Sequence, residues 1–118
     1  MSIVTELLLK PGVIAAGEYA YRGDRFSYRG ALSEEQARMA SILCRATTMG
    51  LAMEGDMLGY FGRNLGILPV RGWILRGPRS SLCVMANVFC LLDNRQGSLD
   101  TIVAYLRQAL AGEAMDLI

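Results

Sequence analysis

Hydrophobic and polar residues alternate along this chain in blocks that predict eight elements of secondary structure, because a helix repeats every 3.6 residues and a strand every two. In chain order the predicted elements are helix Ser2–Lys10, strand Val13–Tyr21, strand Arg25–Gly30, a long helix from Ser33, strands Trp73–Arg76, Ser81–Ala86 and Val88–Leu92, and a helix from Ser98 with its C-cap at Gly112. This order predicts an α/β domain of the α+β type, with one five-stranded antiparallel sheet and helices on both faces.

The first two strands are expected to form a hairpin with a two-residue turn at Gly23-Asp24, since glycine accepts the positive φ that such turns need. That turn predicts four cross-strand pairs: Tyr21 with Phe26, Tyr19 with Tyr28, Glu18 with Arg29, and Ala20 with Ser27. Aromatic residues then meet on one face and an acid meets a base on the other. Each such pair contributes about 0.2–1 kcal/mol.

The long helix opens with a capping box, in which Ser33 is the N-cap and Gln36 the third helical residue. Its pattern runs at least to Met53, and to Phe61 if Gly50, Gly55 and Gly59 are tolerated in its second half. A bend or an early stop is expected at Glu54-Gly55-Asp56, because each helical glycine costs about 1 kcal/mol relative to alanine.

Three arcs follow when the residues of this helix are placed at about 100° intervals. One apolar face holds Ala40, Leu43, Thr47, Leu51, Leu58 and Phe61, and an adjoining one holds Met39, Ile42, Ala46, Met49, Met53, Met57 and Tyr60. The polar arc holds Glu34, Arg38, Ser41, Arg45, Thr48 and Asp56. The two apolar faces together span roughly 220°, against about 100° for a helix packed on one surface.

One sheet cannot cover so wide an apolar arc, which favours a second copy of the chain as the partner of this helix. The predicted dimer interface consists of Met39, Ile42, Ala46, Met49 and Met53, with Trp73 and Leu75 from the third strand. The competing interpretation is that these residues form ordinary core.

Composition and charge narrow the function classes. The 118 residues suit a single domain over residues 1–118, and 53% of them are apolar. Net charge is +1 and the 12 basic residues are scattered, so no nucleic-acid surface is expected. No apolar stretch is long enough for a membrane span, and the N-terminus does not resemble a signal peptide, so a cytoplasmic location is expected.

Candidate chemistry is sparse. The chain has no histidine, which removes the usual general base and the commonest metal ligand, so no catalytic residue, metal or cofactor is predicted. A turn at Ala86-Asn87 would set Cys83 opposite Cys90, either as a redox pair or, as we favour, as reduced core. The basic turn Arg76-Gly77-Pro78-Arg79, with Arg71 nearby, either holds an anion or is simply solvated.

The element order resembles that of the roadblock (dynein light chain type) superfamily, which has a profilin-like fold, and more narrowly an uncharacterised prokaryotic branch of it. The resemblance rests on the opening helix followed by Gly12–Gly17, the glycine-turned hairpin, the long helix, and the runs Pro69–Gly77 and Leu82–Phe89. It implies a homodimer in which the long helices pair and the third strand, Trp73–Arg76, joins the two sheets. Some members regulate small GTPases or act as scaffolds, but no GTPase-contact motif is found in this sequence.

The sequence therefore predicts a non-enzymatic, homodimeric regulatory or scaffold module that acts by protein binding, with a small GTPase as one partner class that the resemblance suggests. The alternative is a small-ligand sensor with a pocket between sheet and helix. A dimer disrupted by Met49→Glu favours the first, and a metabolite that raises the melting temperature favours the second.

Overall fold

The computed structural model describes residues 2–23, 25–61, 65–67 and 69–111. Its elements are α1 (Ile3–Leu8), β1 (Val13–Tyr19), β2 (Phe26–Gly30), α2 (Glu34–Phe61), β3 (Gly72–Arg76), β4 (Ser80–Met85), β5 (Val88–Asp93) and α3 (Leu99–Ala109). All eight predicted elements occur in the predicted order, which confirms the fold class. The predicted C-cap Gly112 and the turn residue Asp24 lie outside the described residues, and α3 ends with Leu110 as its cap.

Serine side chains cap the N-termini of all three helices. The Ser2 hydroxyl accepts the Thr5 N–H in α1, and the Ser98 hydroxyl accepts the Thr101 N–H in α3. At α2 the predicted capping box is confirmed. The Gln36 N–H donates to the Ser33 hydroxyl at 3.1 Å, and the Ser33 N–H donates to the Gln36 side-chain oxygen at 2.9 Å. Each cap stabilises its helix by about 1 kcal/mol.

The five strands form one antiparallel sheet in the order β2-β1-β5-β4-β3, so β2 and β3 are its edges. On one side, here called the α3 face, α1 and α3 pack over a core that includes Cys83 and Cys90. On the other side, the α2 face, α2 packs over Tyr19 and Phe89. Helices therefore cover both faces, which explains why apolar residues occupy successive positions in β4 and β5.

The β1–β2 hairpin has the predicted strands but not the predicted register. Its pairs are Ala15 with Gly30, Ala16 with Arg29, Gly17 with Tyr28, Glu18 with Ser27 and Tyr19 with Phe26. All four predicted pairs are therefore wrong, each by two residues. A shift of two keeps every side chain on its predicted face, so the aromatic residues still share the α2 face.

A wider loop causes this shift. The Gly23 N–H donates to the Ala20 carbonyl at 2.8 Å, and the Ala20 N–H donates to the Arg25 carbonyl at 2.9 Å. The strands therefore close at Ala20 and Arg25, with four residues between them. Gly23 still supplies the predicted positive φ, at 80°, but as the third residue of that loop.

The long helix α2 is continuous over 28 residues, so the expected stop at Glu54-Gly55-Asp56 is wrong. Gly55 lies within the helix and is buried. At 1.5 Å per residue α2 is about 42 Å long, which matches the longest dimension of the molecule, 41 Å. Among the described residues, no helix combines the length and the hydropathy that a membrane span requires.

Candidate protein interface

The face of α2 that packs on the sheet consists of small side chains. Its buried residues are Ala37, Ser41, Cys44, Thr48 and Gly55. The sequence placed Ser41 and Thr48 on the polar arc and Leu43 and Leu58 on an apolar face. The structure buries the two hydroxyl residues and leaves both leucines about half exposed. At these four residues, the predicted polar and apolar arcs therefore do not match the exposed and buried sides of α2.

The buried hydroxyl groups are satisfied, which makes their burial possible. The Ser41 hydroxyl donates to the Ala37 carbonyl one turn earlier in α2, at 2.8 Å. The Thr48 hydroxyl accepts a 2.8 Å hydrogen bond from the indole N–H of Trp73 and lies 3.3 Å from the hydroxyl of Tyr19. Burial raises the pKa of Tyr19 to about 12, so it is a neutral hydrogen-bonding group at ordinary pH.

The opposite side of α2 carries large apolar side chains that face solvent. We call this surface the methionine face and define it as Met39, Ile42, Ala46, Met49, Met53 and Met57, all of them exposed. Met53 is 63% exposed to solvent and Met39 is 54% exposed. Five of these six are predicted interface residues. The structure thus brings them together on one exposed strip and rejects the interpretation that they are core.

The strip follows the spacing of a helix–helix seam. Its members recur after three or four residues, the spacing that keeps one line of a helix turned toward a partner helix. Near its middle lie Ala46 and Gly50, one turn apart, and a Cβ added at Gly50 would meet nothing within 4 Å. Gly50 is not among the predicted interface residues, although a glycine in the middle of a helix is unfavourable and so indicates a need for close approach.

The second predicted component of the interface is strand β3, which lies at a sheet edge. Leu75 is 60% exposed and Ile74, which the prediction omitted, is 46% exposed. Trp73 is half-buried against the core of the α2 face, so it anchors the strand as well as bordering the surface. An edge strand with three consecutive apolar residues offers unpaired backbone groups to a partner.

A family model described as "Uncharacterized conserved protein (DUF2173)" matches residues 3–108. The chain belongs to the DUF2173 family. Among curated proteins and solved structures, no match to the chain was found.

The cysteines of this DUF2173 chain are poorly placed for thiol chemistry. Cys83 lies directly opposite Cys90, as predicted, and both are buried and unpaired. Burial raises the pKa of Cys83 to about 11 and that of Cys90 to about 12. A thiol reacts as its thiolate, so these groups are inert near neutral pH. Within the described ranges, no group of three or more histidine, cysteine or acidic residues is placed to hold a metal ion.

The basic turn between β3 and β4 is held by Asn94. The Asn94 side chain donates to the Gly77 carbonyl at 2.8 Å, and its backbone N–H donates to the Arg79 carbonyl at 2.8 Å. Arg76 and Arg79 are both exposed. The turn is therefore rigid in its backbone and solvated in its charges, as the simpler of the two interpretations expects.

Proposed function

We propose that this DUF2173 chain acts by binding proteins, not by catalysis, and that it does so as a homodimer whose two copies meet across the methionine face. The observation that carries the proposal is the orientation of α2, with small residues toward the sheet and large apolar residues toward solvent. In an isolated chain, that orientation leaves the large apolar side chains in water. Covering the methionine face would recover roughly 25 cal/mol for each Å² of apolar surface removed from water.

The size of the methionine face indicates that α2 is not the whole interface. From Met39 to Met57 the strip is about 27 Å long and about 10 Å wide, on the order of 300 Å² in projection. A stable interface buries about 800 Å² on each partner. Strand β3, with exposed Leu75, offers further apolar surface, and the Trp73–Thr48 hydrogen bond ties this strand to α2.

A two-fold axis near Ala46 and Gly50 would pair the strip with itself. In an antiparallel pair of helices centred on Ala46, Met39 of one copy lies beside Met53 of the other, since both are equally far from Ala46 along the chain. The same surface serves both copies, as a two-fold dimer requires. Small residues at the crossing let the helix backbones approach closely, while the flanking methionines fill the space on either side.

The resemblance to the roadblock superfamily supports the same arrangement, because it implies paired long helices and sheets joined through the third strand. In this proposal the edges of two β3 strands pair, and the dimer presents a composite surface to a third protein. A regulatory or scaffold role follows, with a small GTPase as the partner class that the resemblance suggests.

Cross-linking of one substituted residue tests the proposal. We expect Ala46→Cys to form a disulfide-linked dimer under mild oxidation, because residues near a two-fold axis lie close to their own copies. The native thiols are buried and do not interfere. Asp100→Cys is the matched control, since Asp100 is equally exposed but lies on α3, across the sheet from α2. Equal yields of linked dimer from the two variants would contradict the proposal.

A further inference from the structure

A cavity of about 530 Å³ lies on the α3 face, where α3 packs on β4 beside the edge strand β3. Its floor includes Ile74 and Met85, and Val103 of α3 contributes to its wall. The volume falls within the range of about 300–1,000 Å³ that small-molecule sites occupy. The lining combines apolar and polar surface, so the cavity suits an amphipathic organic molecule better than a hydrated ion.

Two arginines give the cavity a charged end. Arg71 and Arg107 both line it, and both also line an adjoining cavity of about 370 Å³ beside the C-terminal end of α3. Both residues therefore border both cavities. Among the described residues, no aspartate or glutamate lines either cavity. The positive charge of this end is thus not neutralised by its own lining.

Both arginines are exposed, and the fold fixes the backbone that carries them. The Arg71 carbonyl accepts the Ala86 N–H at 3.1 Å, which fixes the backbone at the start of β3. Arg107 lies one turn after Val103 in α3, and helical side chains lean toward the N-terminus of their helix. This tendency carries a side chain at position 107 toward the cavity that the residue lines, and away from the C-terminal carbonyls, which would repel an anion.

We propose that this cavity binds a small amphipathic oxyanion, with a carboxylate or phosphate head between Arg71 and Arg107 and an apolar body against Ile74, Met85 and Val103. Guanidinium groups hold both kinds of head through paired N–H donors. Inorganic phosphate would leave the apolar lining unused, and a neutral apolar molecule would leave the arginines without an acceptor. The site is formed by one chain and does not rest on the proposed dimer. It gives the ligand-sensor alternative a specific location.

Trp73 provides the readout, because it is the only tryptophan of the chain and it precedes Ile74 of the cavity floor in β3. We would titrate the full chain with octanoate, octyl phosphate, octanol and inorganic phosphate while following tryptophan emission. We expect saturable binding of octanoate, octyl phosphate or both, and the comparison of these two identifies the preferred head. Octanol and inorganic phosphate should bind at least about tenfold more weakly.

Substitutions test the role of the arginines. Arg71→Ala and Arg107→Ala should each weaken binding of the preferred probe by about tenfold or more, the usual effect of losing a charge-assisted hydrogen bond. The affinity of Arg71→Lys should lie between those of the parent chain and Arg71→Ala, since lysine keeps the charge but not the paired donors. Arg29→Ala, an exposed arginine on β2 at the far edge of the sheet, is the control and should leave affinity unchanged. Wild-type affinity in both alanine variants, or equal binding of octanol or inorganic phosphate, would overturn the proposal.

A failure of the dimer and a failure of this site can be told apart. The titration repeated on Met49→Glu, which is expected to be monomeric, should give the affinity of the parent chain. The absence of probe binding in both chains overturns the ligand site and leaves the dimer proposal standing.

Discussion

The indole N–H of Trp73 donates a 2.8 Å hydrogen bond to the hydroxyl of Thr48, which joins the edge strand β3 to the middle of α2. The Thr48 hydroxyl also lies 3.3 Å from that of Tyr19, which donates to the Ala86 carbonyl at 3.4 Å. Because Tyr19 has one proton to donate, Thr48 must donate to Tyr19. This chain of donors fixes the rotation of α2 and so turns its large apolar residues away from the sheet.

Removal of the Thr48 hydroxyl tests this link. We expect Thr48→Val to lower the free energy of unfolding by about 1–3 kcal/mol, because it leaves the Trp73 N–H without its acceptor while keeping the shape of the side chain. Urea denaturation measures the change. Thr47→Val makes the same substitution at the neighbouring, half-buried residue and serves as the control. If the two variants lose equal stability, the hydrogen bond does not hold the helix.

Close contact between Gly17 and Phe89 is a second determinant of the α2 face. The two residues lie directly opposite each other on β1 and β5, and a Cβ at position 17 would lie 2.5 Å from the Phe89 ring and 2.7 Å from the Ser27 carbonyl oxygen. We expect Gly17→Ala to cost about 1–3 kcal/mol of unfolding free energy.

A second substitution, Phe89→Leu, should recover part of that loss in the Gly17→Ala background, since it removes the ring but not the contact with Ser27. Thermal and urea denaturation measure both. If the Gly17→Ala chain is as stable as its parent, the space beside position 17 is larger than the distances to Phe89 and Ser27 indicate.

Gly50 separates the requirements of the isolated chain from those of the dimer. No atom lies within 4 Å of a Cβ built at this position, so the folded monomer has no need of glycine there. Gly50→Ala should therefore stabilise the monomeric Met49→Glu chain by about 1 kcal/mol. In the otherwise unchanged chain it should weaken dimerisation, because a methyl group then lies at the helix crossing. Urea denaturation and sedimentation measure the two effects, and an unchanged dimer affinity would place the crossing elsewhere.

The dependence of stability on pH follows from the buried thiols. Burial raises the pKa of Cys44 and Cys90 to about 12 and that of Cys83 to about 11, against 9.0 for the free thiol. Above pH 9 the unfolded chain loses protons that the folded chain keeps, so rising pH favours unfolding. The stability that the buried, protonated thiols contribute to the folded chain is complete below pH 9 and declines from there toward pH 12.

Each thiol should lower the free energy of unfolding by about 1.4 kcal/mol per pH unit in that window, and Tyr19 adds a similar decline above pH 10. Urea denaturation between pH 7 and pH 10 measures the slope. Cys44→Ala removes one of the three buried thiols and should therefore reduce the dependence of the unfolding free energy on pH by the contribution of one thiol. A free energy of unfolding that stays constant up to pH 10 would mean that these thiols are accessible to water in the folded chain.

The order of elements and the helix caps could be predicted from the sequence because their causes are local. Ser33 and Gln36 form the expected capping box from residues three apart, and the Ala86-Asn87 turn sets Cys83 opposite Cys90 through β4 and β5. Periodicity also located the apolar strip of α2, because a helical repeat needs no knowledge of the partner.

The rotation of α2 and the hairpin register depend on contacts that the hydropathy pattern does not encode. Hydropathy assigns leucine to the core and threonine to solvent. Thr48 is nevertheless buried, because the indole N–H of Trp73 donates to its hydroxyl. Trp73 lies 25 residues away in sequence, so this contact is not visible in the local pattern. The hairpin differed for a similar reason, since Gly23 closes a turn onto Ala20 that the pattern of the strands does not encode.

The molar mass in solution tests the central claim most directly. Size-exclusion chromatography with light scattering, at micromolar concentration, should give twice the chain mass of 12.9 kDa for the parent and a single chain mass for Met49→Glu and Ile42→Glu. Gln36→Glu adds the same charge to the same helix away from the methionine face, and it should remain a dimer. A parent chain that stays at the mass of one chain up to millimolar concentration would contradict the account.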